Sequence, residues 1–173
     1  AAGTHVVVHY QESAAPAQAV VDAITGAGGH ASILRADISD ATECAAMVDT
    51  VADRFGRLDA LVLNASVHLE PGAHPGYAMR RNREAQRRLA GMAMPLIPVG
   101  GRIVFVTDHQ AHFYPHKAVP KGHTAVVAGR WAGEAPLYAM RSDFHRAGVH
   151  FTVVSGDTVD DSFAGAIVNA VNT

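Results

Sequence analysis

The sequence predicts a doubly wound α/β domain, a parallel sheet with helices on both faces, and three observations predict it. Short apolar runs alternate with longer stretches of helical periodicity along all 173 residues. Each apolar run, Ile103 to Val106 for example, is continuous, as a strand buried on both faces of a parallel sheet must be. The runs also end at polar corners, and in an open α/β sheet the ligand crevice lies beyond the carboxyl ends of the strands.

In order, Ala1 to Gly3 reads as the tail of a helix leading into a strand, His5 to Tyr10. Ser13 suits an N-cap, Pro16 a first turn, and Gly28-Gly29 a helix end. A strand from Ala31 to Leu34 meets the corner Ala36-Asp37-Ile38-Ser39-Asp40, and Asp40 can cap the helix in which Cys44, Met47, Val48, Val51 and Phe55 recur. Gly56 stops that helix, and Leu58 to Leu63 forms a strand ending at Asn64-Ala65-Ser66. After a loop rich in Pro, Gly and His comes a long helix, roughly Tyr77 to Leu96, with Asn82, Ala85, Leu89, Met92, Ala93 and Leu96 facing inward. A strand around Ile103 to Val106 ends in Thr107-Asp108 at the crevice edge, and a His-rich loop to His123 roofs it. A helix from about Ala125 to Arg146, a strand from Val149 to Val154 and a helix from Asp161 to Val171 complete the chain. No linker or repeat divides residues 1–173, so a single domain is expected.

Composition narrows the function. About half the residues are apolar and the net charge is -2, which fits an ordinary globular protein and not a disordered tail or a nucleic-acid binder. The lone cysteine, Cys44, rules out an internal disulfide framework and suits a reducing compartment. No apolar run approaches the ~20 residues of a membrane helix, and the first residues lack a signal-peptide core, so a cytoplasmic protein is expected.

With the motifs placed, the chain resembles the short-chain dehydrogenase/reductase superfamily over nearly its whole length. The resemblance is carried by Ala2-Gly3-Thr4-His5-Val6-Val7-Val8, Ala36-Asp37-Ile38-Ser39-Asp40, Phe55-Gly56-Arg57-Leu58-Asp59, Leu63-Asn64-Ala65 and Gly101-Arg102-Ile103-Val104. It implies a Rossmann-type fold, a nicotinamide dinucleotide and a small-molecule ketone substrate. The family's opening strand with its Gly-rich turn, its substrate lid (near 157–158) and its last strand have no counterpart here. The expectation is therefore that segments beyond these residues complete the domain.

On the cofactor side, His9 stands where a carboxylate would select NAD, and Ser13 could bind a phosphate, so NADP is expected, with NAD possible because of Glu12. By the same resemblance Asp37 and Ile38 contact adenine, and Asn64, Ala65 and Ser66 flank the riboses, while Thr107 at the crevice edge is expected to bind the cofactor. Asp37 can equally be a turn residue at a strand end.

On the catalytic side, the family's Asn is matched by Asn82. Asp108 stands where its Ser belongs, Val126 at its Tyr and Arg130 at its Lys. These departures resemble atypical ketoreductases of the family that act on the angucyclinone ring system. General acid catalysis is worth about 10²–10⁴-fold, whereas orientation can contribute about 7–11 kcal/mol, so loss of the Tyr slows a reductase without abolishing it. Arg130 gives up no proton but can hold the nicotinamide ribose. An ionised Asp108 beside a developing alkoxide would raise the barrier, so it must be protonated, turned away or paired with a substrate hydroxyl. A ketone flanked by its own phenol would need no tyrosine, which suggests substrate-assisted reduction of an aromatic polyketide.

His109, His112, His116 and His123 surround this corner, and any of them, His109 first, could replace the missing acid. Hydrogen-bonded imidazoles packed against the sheet are an equal alternative. No metal is expected, because the spacing fits no helical ligand pair and no carboxylate partner is apparent. Phe113 and Trp131 could line an apolar pocket, with Trp131 the better fit to a helix-face core. The competing readings are an inactive relative that binds dinucleotide as a sensor or scaffold, and a homo-oligomeric subunit supporting an active paralogue.

Overall fold

The computed structural model describes residues 3–64, 74–119, 122–156 and 161–173. Strand β1 (His5–Tyr10) leads through the N-cap residue Ser13 into helix α1 (Ala14–Gly26), although Ser13 makes no side-chain capping bond. Strand β2 (His30–Arg35) lies parallel to β1 in a register that sets Tyr10 opposite Arg35. Asp40 then caps helix α2 (Ala41–Phe55) as expected, its carboxylate accepting from the Thr42 and Glu43 amides. Gly56 ends the helix at φ 68°, a backbone state that glycine adopts without strain.

Strand β3 (Ala60–Leu63) is shorter than the apolar run suggested, because Leu58 bonds back through its amide to the Leu96 carbonyl instead of joining the ladder. Helix α3 (Pro75–Ala93) ends in a 3-10 turn, Met94–Leu96, whose Pro95 has no amide to continue the α-ladder. Its buried face runs through Ala78, Asn82, Ala85, Gln86, Leu89, Ala90 and Ala93. Met92, expected inward, is exposed, and Gln86 takes a buried place instead.

Strand β4 (Arg102–Asp108) is the axis of the larger sheet. It pairs in parallel with β3 on one side and with β5 (His150–Gly156) on the other. Every residue from Ile103 to Thr107 is buried, which explains the uninterrupted apolar run. The His-rich stretch after β4 is not loop throughout, for Asp108 caps a one-turn helix α4 (His109–His112). The helix expected from Ala125 to Arg146 is two, α5 (Thr124–Ala139) and α6 (Arg141–Arg146), divided at Met140. The redirection lets Phe144 bury completely and meet the Phe151 ring at 5.6 Å, so tertiary packing overrides helical continuity. Helix α7 (Asp161–Asn172) ends the chain and packs on β4 and β5.

Among the described residues the strands fall in two ladders. β1 and β2 make a two-stranded sheet, and β3, β4 and β5 a three-stranded one, all pairings parallel. Among the described residues β1 and β2 are half-buried, with Val6 40 % exposed. A single apolar cluster nevertheless spans both parts, from Ala36, Ile38, Cys44 and Met47 to Leu89, Ile103, Phe105 and Leu137. At roughly 1.5–3 kcal/mol per buried Leu, Ile or Phe side chain, this cluster holds the described elements of the two sheets together.

Candidate active site

Four elements converge at the carboxyl end of β4: the strand itself, α4, α5 and α3. The α3–α5 contact is close because α5 presents Gly129 and Gly133 to it. A Cβ at Gly129 would lie 2.9 Å from Asn82 Nδ2, and one at Gly133 would lie 3.1 Å from Gln86 Cγ. This proximity places Asn82, 2 % exposed and donating to the Ala78 carbonyl at 3.2 Å, directly against the helix that carries Arg130. Asn64, Asn82, Phe105, Val106 and Arg130 line one crevice.

Asp108 is held at both oxygens. Oδ1 accepts from the Ala111 amide at 2.7 Å, capping α4, and Oδ2 accepts from Arg130 Nη1 at 3.0 Å. Of the arrangements open to a carboxylate here, it takes one turned away into the protein and matched to a cation. A second pair stands one helical turn further along both helices. His112 Nδ1 faces Glu134 at 3.0 Å from Oε1 and 3.1 Å from Oε2. Asp108 is the N-cap of α4 and His112 its last residue, so the two pairs tie the start and the end of that short helix to successive turns of α5. Their polarity alternates, with Asp108 facing Arg130 on one rung and His112 facing Glu134 on the next. Glu134, 5 % exposed, also accepts from Tyr138. Burial pushes the Tyr138 hydroxyl above its usual value, and the Glu134 charge and that hydrogen bond add to the rise, with Arg141 opposing.

His109 is not part of this ladder. Its ring meets Phe113 at 6.2 Å, on the first turn of α4. The expectation that no carboxylate partners the histidines is corrected by Glu134, which sequence reasoning missed. The spacing of Asp108 to His112 and of Arg130 to Glu134 was the signal, hidden because residues 109–112 read as loop. Among the described residues no three His, Cys, Asp or Glu side chains converge on a metal position. Trp131 is not core but half-buried, its ring 5.9 Å from that of Tyr114, and Phe113 is exposed.

On the nucleotide side, His9 Nε2 lies 2.8 Å from the Ala36 carbonyl, which ties the end of β1 to the turn after β2. Asp37 holds that turn, accepting from the Ser39 amide at 2.8 Å. Burial alone would raise its carboxyl, but the Ser39 hydroxyl and amide, with Arg81 and Arg35, hold it below the usual carboxylate value. Arg81 also donates to the Ser39 hydroxyl, and Arg88 to the Ser39 carbonyl at 3.1 Å. The Ile38 side chain is committed to the core, 2 % exposed. Ser13 is exposed at the head of α1, and Asn64 is exposed at the end of β3. Ala65 and Ser66 lie outside the described residues.

The residues at the β4 corner fit a dinucleotide. Thr107 Oγ1 and Arg130 Nε are buried and have no hydrogen-bond partner among the described residues. Buried polar atoms of this kind call for an acceptor or donor from a bound group. Both sit where an α/β sheet receives its ligand.

Comparison with known proteins points the same way. The family described as short chain dehydrogenase matches residues 1–155. A protein named probable tetrahydroxynaphthalene reductase, from Zymoseptoria tritici, is 32 % identical over 147 residues, covering 82 % of this chain and 54 % of its own. Versicolorin reductase 1 from Dothistroma septosporum is 33 % identical over 125 residues, covering 69 % of this chain and 46 % of its own. The chain thus spans about half the length of these curated relatives. Among solved structures, the promiscuous reductase LugOII, which catalyses keto-reduction at C1 during lugdunomycin biosynthesis, superimposes with a TM-score of 0.78 at 26 % identity, over 98 % of this chain and 78 % of that one.

Proposed function

The chain belongs to the short-chain dehydrogenase family, and from that premise we propose that it is an NADPH-dependent ketoreductase acting on a polycyclic aromatic polyketide of angucyclinone type. The observation that carries the reading is the β4 corner, where Asn82, Asp108 and Arg130 converge beside the unpartnered Thr107 Oγ1 and Arg130 Nε. When bound, NADPH supplies the hydride. The chain's own residues bind and orient. Arg130 spends one Nη on Asp108 and keeps further donors for a ribose. Thr107 offers a buried hydroxyl to the same ligand, and Asn82 stiffens the wall between α3 and α5. His9, Ser13, Asp37, Ile38, Asn64, Ala65 and Ser66 form the nucleotide side. With NAD, the group at Ser13 would have no phosphate to meet, so NADP is the preferred form.

Substrate class follows from the missing phenol. Val126 stands at the family's tyrosine position and can donate nothing. A ketone that carries a hydroxyl on the adjacent ring position hydrogen-bonds its own carbonyl, and orientation then supplies most of the rate. The tetrahydroxynaphthalene and versicolorin reductases and the keto-reducing LugOII support a fused, hydroxylated aromatic ketone. The test is oxidation of NADPH, followed by its near-ultraviolet absorbance, against a panel of hydroxylated aromatic ketones and quinones. Turnover with a member of the panel is the expected result. Tight NADPH binding without turnover of any member would favour a dinucleotide sensor or scaffold.

A further inference from the structure

We propose that His112, held by Glu134, is the proton source for the reduction, an assignment that rests on the ketoreductase reading and deepens it. Reduction of a ketone places a hydride on carbon and a proton on oxygen. A neighbouring phenol can lend that proton, but it is left as a phenolate and must recover one. Substrate assistance therefore changes the order of proton transfers and does not remove the need for a donor.

The corner offers few donors. Val126 has no exchangeable proton, the Arg130 guanidinium does not release one, and both Asp108 oxygens are engaged. His112 differs from the other histidines. Among the described residues it is the one whose ring faces a carboxylate. Glu134 accepts from Nδ1, which fixes the ring and leaves Nε2 to exchange a proton with a ligand. The ring lies one turn beyond Asp108, the N-cap of α4, whose Oδ2 holds Arg130, and Arg130 in turn lines the crevice. In the step itself, the Nε2–H bond of the imidazolium breaks and its electron pair stays on nitrogen. An O–H bond forms on the substrate oxygen. The ring, 28 % exposed, takes its next proton from water.

The ionisable groups around His112 are Glu134 and, one turn before it, Arg130 on α5, with Asp108 and His109 from its own segment. Tyr138 acts on it through Glu134. β5, which α4 also touches, ends there in Ser155 and Gly156, neither of which titrates at neutral pH.

The experiment uses NADPH with 8-hydroxy-1-tetralone, whose hydroxyl flanks the ketone, and with its 8-methoxy ether, which has no proton to lend. For the ether, His112→Gln should lower kcat by about 10²–10⁴-fold, the usual worth of a general acid. NADPH affinity should not change. The loss should be smaller for the hydroxy ketone, and Glu134→Gln should lie between wild type and His112→Gln for both. Should His112→Gln fail to fold, Glu134→Gln decides, and a kcat equal to that of the wild type with the ether overturns the proposal. Unchanged kcat in folded His112→Gln overturns it too. Turnover that ignores His112 sinks this assignment alone, whereas a wild type that binds NADPH and reduces neither these ketones nor any member of the aromatic panel sinks the ketoreductase reading with it.

Discussion

Asp108 and Arg130 meet at 3.0 Å, and through that contact the end of the buried strand β4 is fastened to the middle of α5. The same carboxylate caps α4 at the Ala111 amide, so one side chain organises the strand end and both helices. Neither partner is fully buried, at 31 % exposure for Arg130 and 24 % for Asp108, which moderates the worth of the pair.

Replacing Asp108 should therefore separate two contributions. Asp108→Ala loses the cap and the ion pair together and should lower the unfolding free energy by about 1–2 kcal/mol, mostly through the cap. Asp108→Ser keeps an oxygen that can accept from the α4 amide and should cost less. Urea midpoints of the two variants read the difference.

Gly129 makes a sharper prediction. A methyl there would press on Asn82 Nδ2 at 2.9 Å and reach the Ala78 Cβ at 3.5 Å. Gly129→Ala should cost about 1–3 kcal/mol, the usual range for overpacking, even though alanine is the better helix former. Turnover should fall with it, because Asn82 is the residue displaced. Thermal unfolding and NADPH oxidation by the same preparation check both halves.

Acid stability should depend on Asp37. Its folded carboxyl titrates below the unfolded one, so the contribution is present above the unfolded value of about 3.9 and is lost as pH falls through the folded value. Asp37→Asn should lower stability at neutral pH and flatten its decline on acidification. Urea denaturation at a series of pH values between neutrality and the acid limb measures it.

Val126 lies on the first turn of α5, 45 % exposed, one turn before Arg130. Val126→Tyr restores a phenol with room to stand. For a ketone with an adjacent hydroxyl the rate should change by less than about tenfold, small against the full worth of a general acid. A gain far above that would show that the proton donor limits the wild type.

Cys44 lies in the core with no exposed surface, and burial raises its thiol above the usual value, with Arg88 opposing. A thiolate-seeking reagent should leave the native chain unmodified and label it once in urea, as intact mass would show.

Much of the fold was legible because its signals are local. Asp40 before the apolar period of α2, Gly56 after it, and the unbroken run Ile103 to Val106 each state an element and its limit. What stayed hidden depends on contacts distant in sequence. The division of α5 from α6 follows from the burial of Phe144 against Phe151, which no helical period announces. Gln86 takes the inward place because Gly133 brings α5 close enough to cover it. In the site, Asn82, Asp108 and Arg130 were found through family motifs, and the structure brings them together. The contact of His112 with Glu134 was hidden because it needs residues 109–112 to be helical. That the Ile38 side chain packs in the core and Asp37 holds the turn through the Ser39 amide was not legible from the motif alone.

Strand β4 is paired on both sides and sealed from Ile103 to Thr107, so among the described strands it should give up its amide protons last. The reacting corner is thus mounted on the slowest-opening part of the described chain, which deuterium uptake followed by mass spectrometry would read directly.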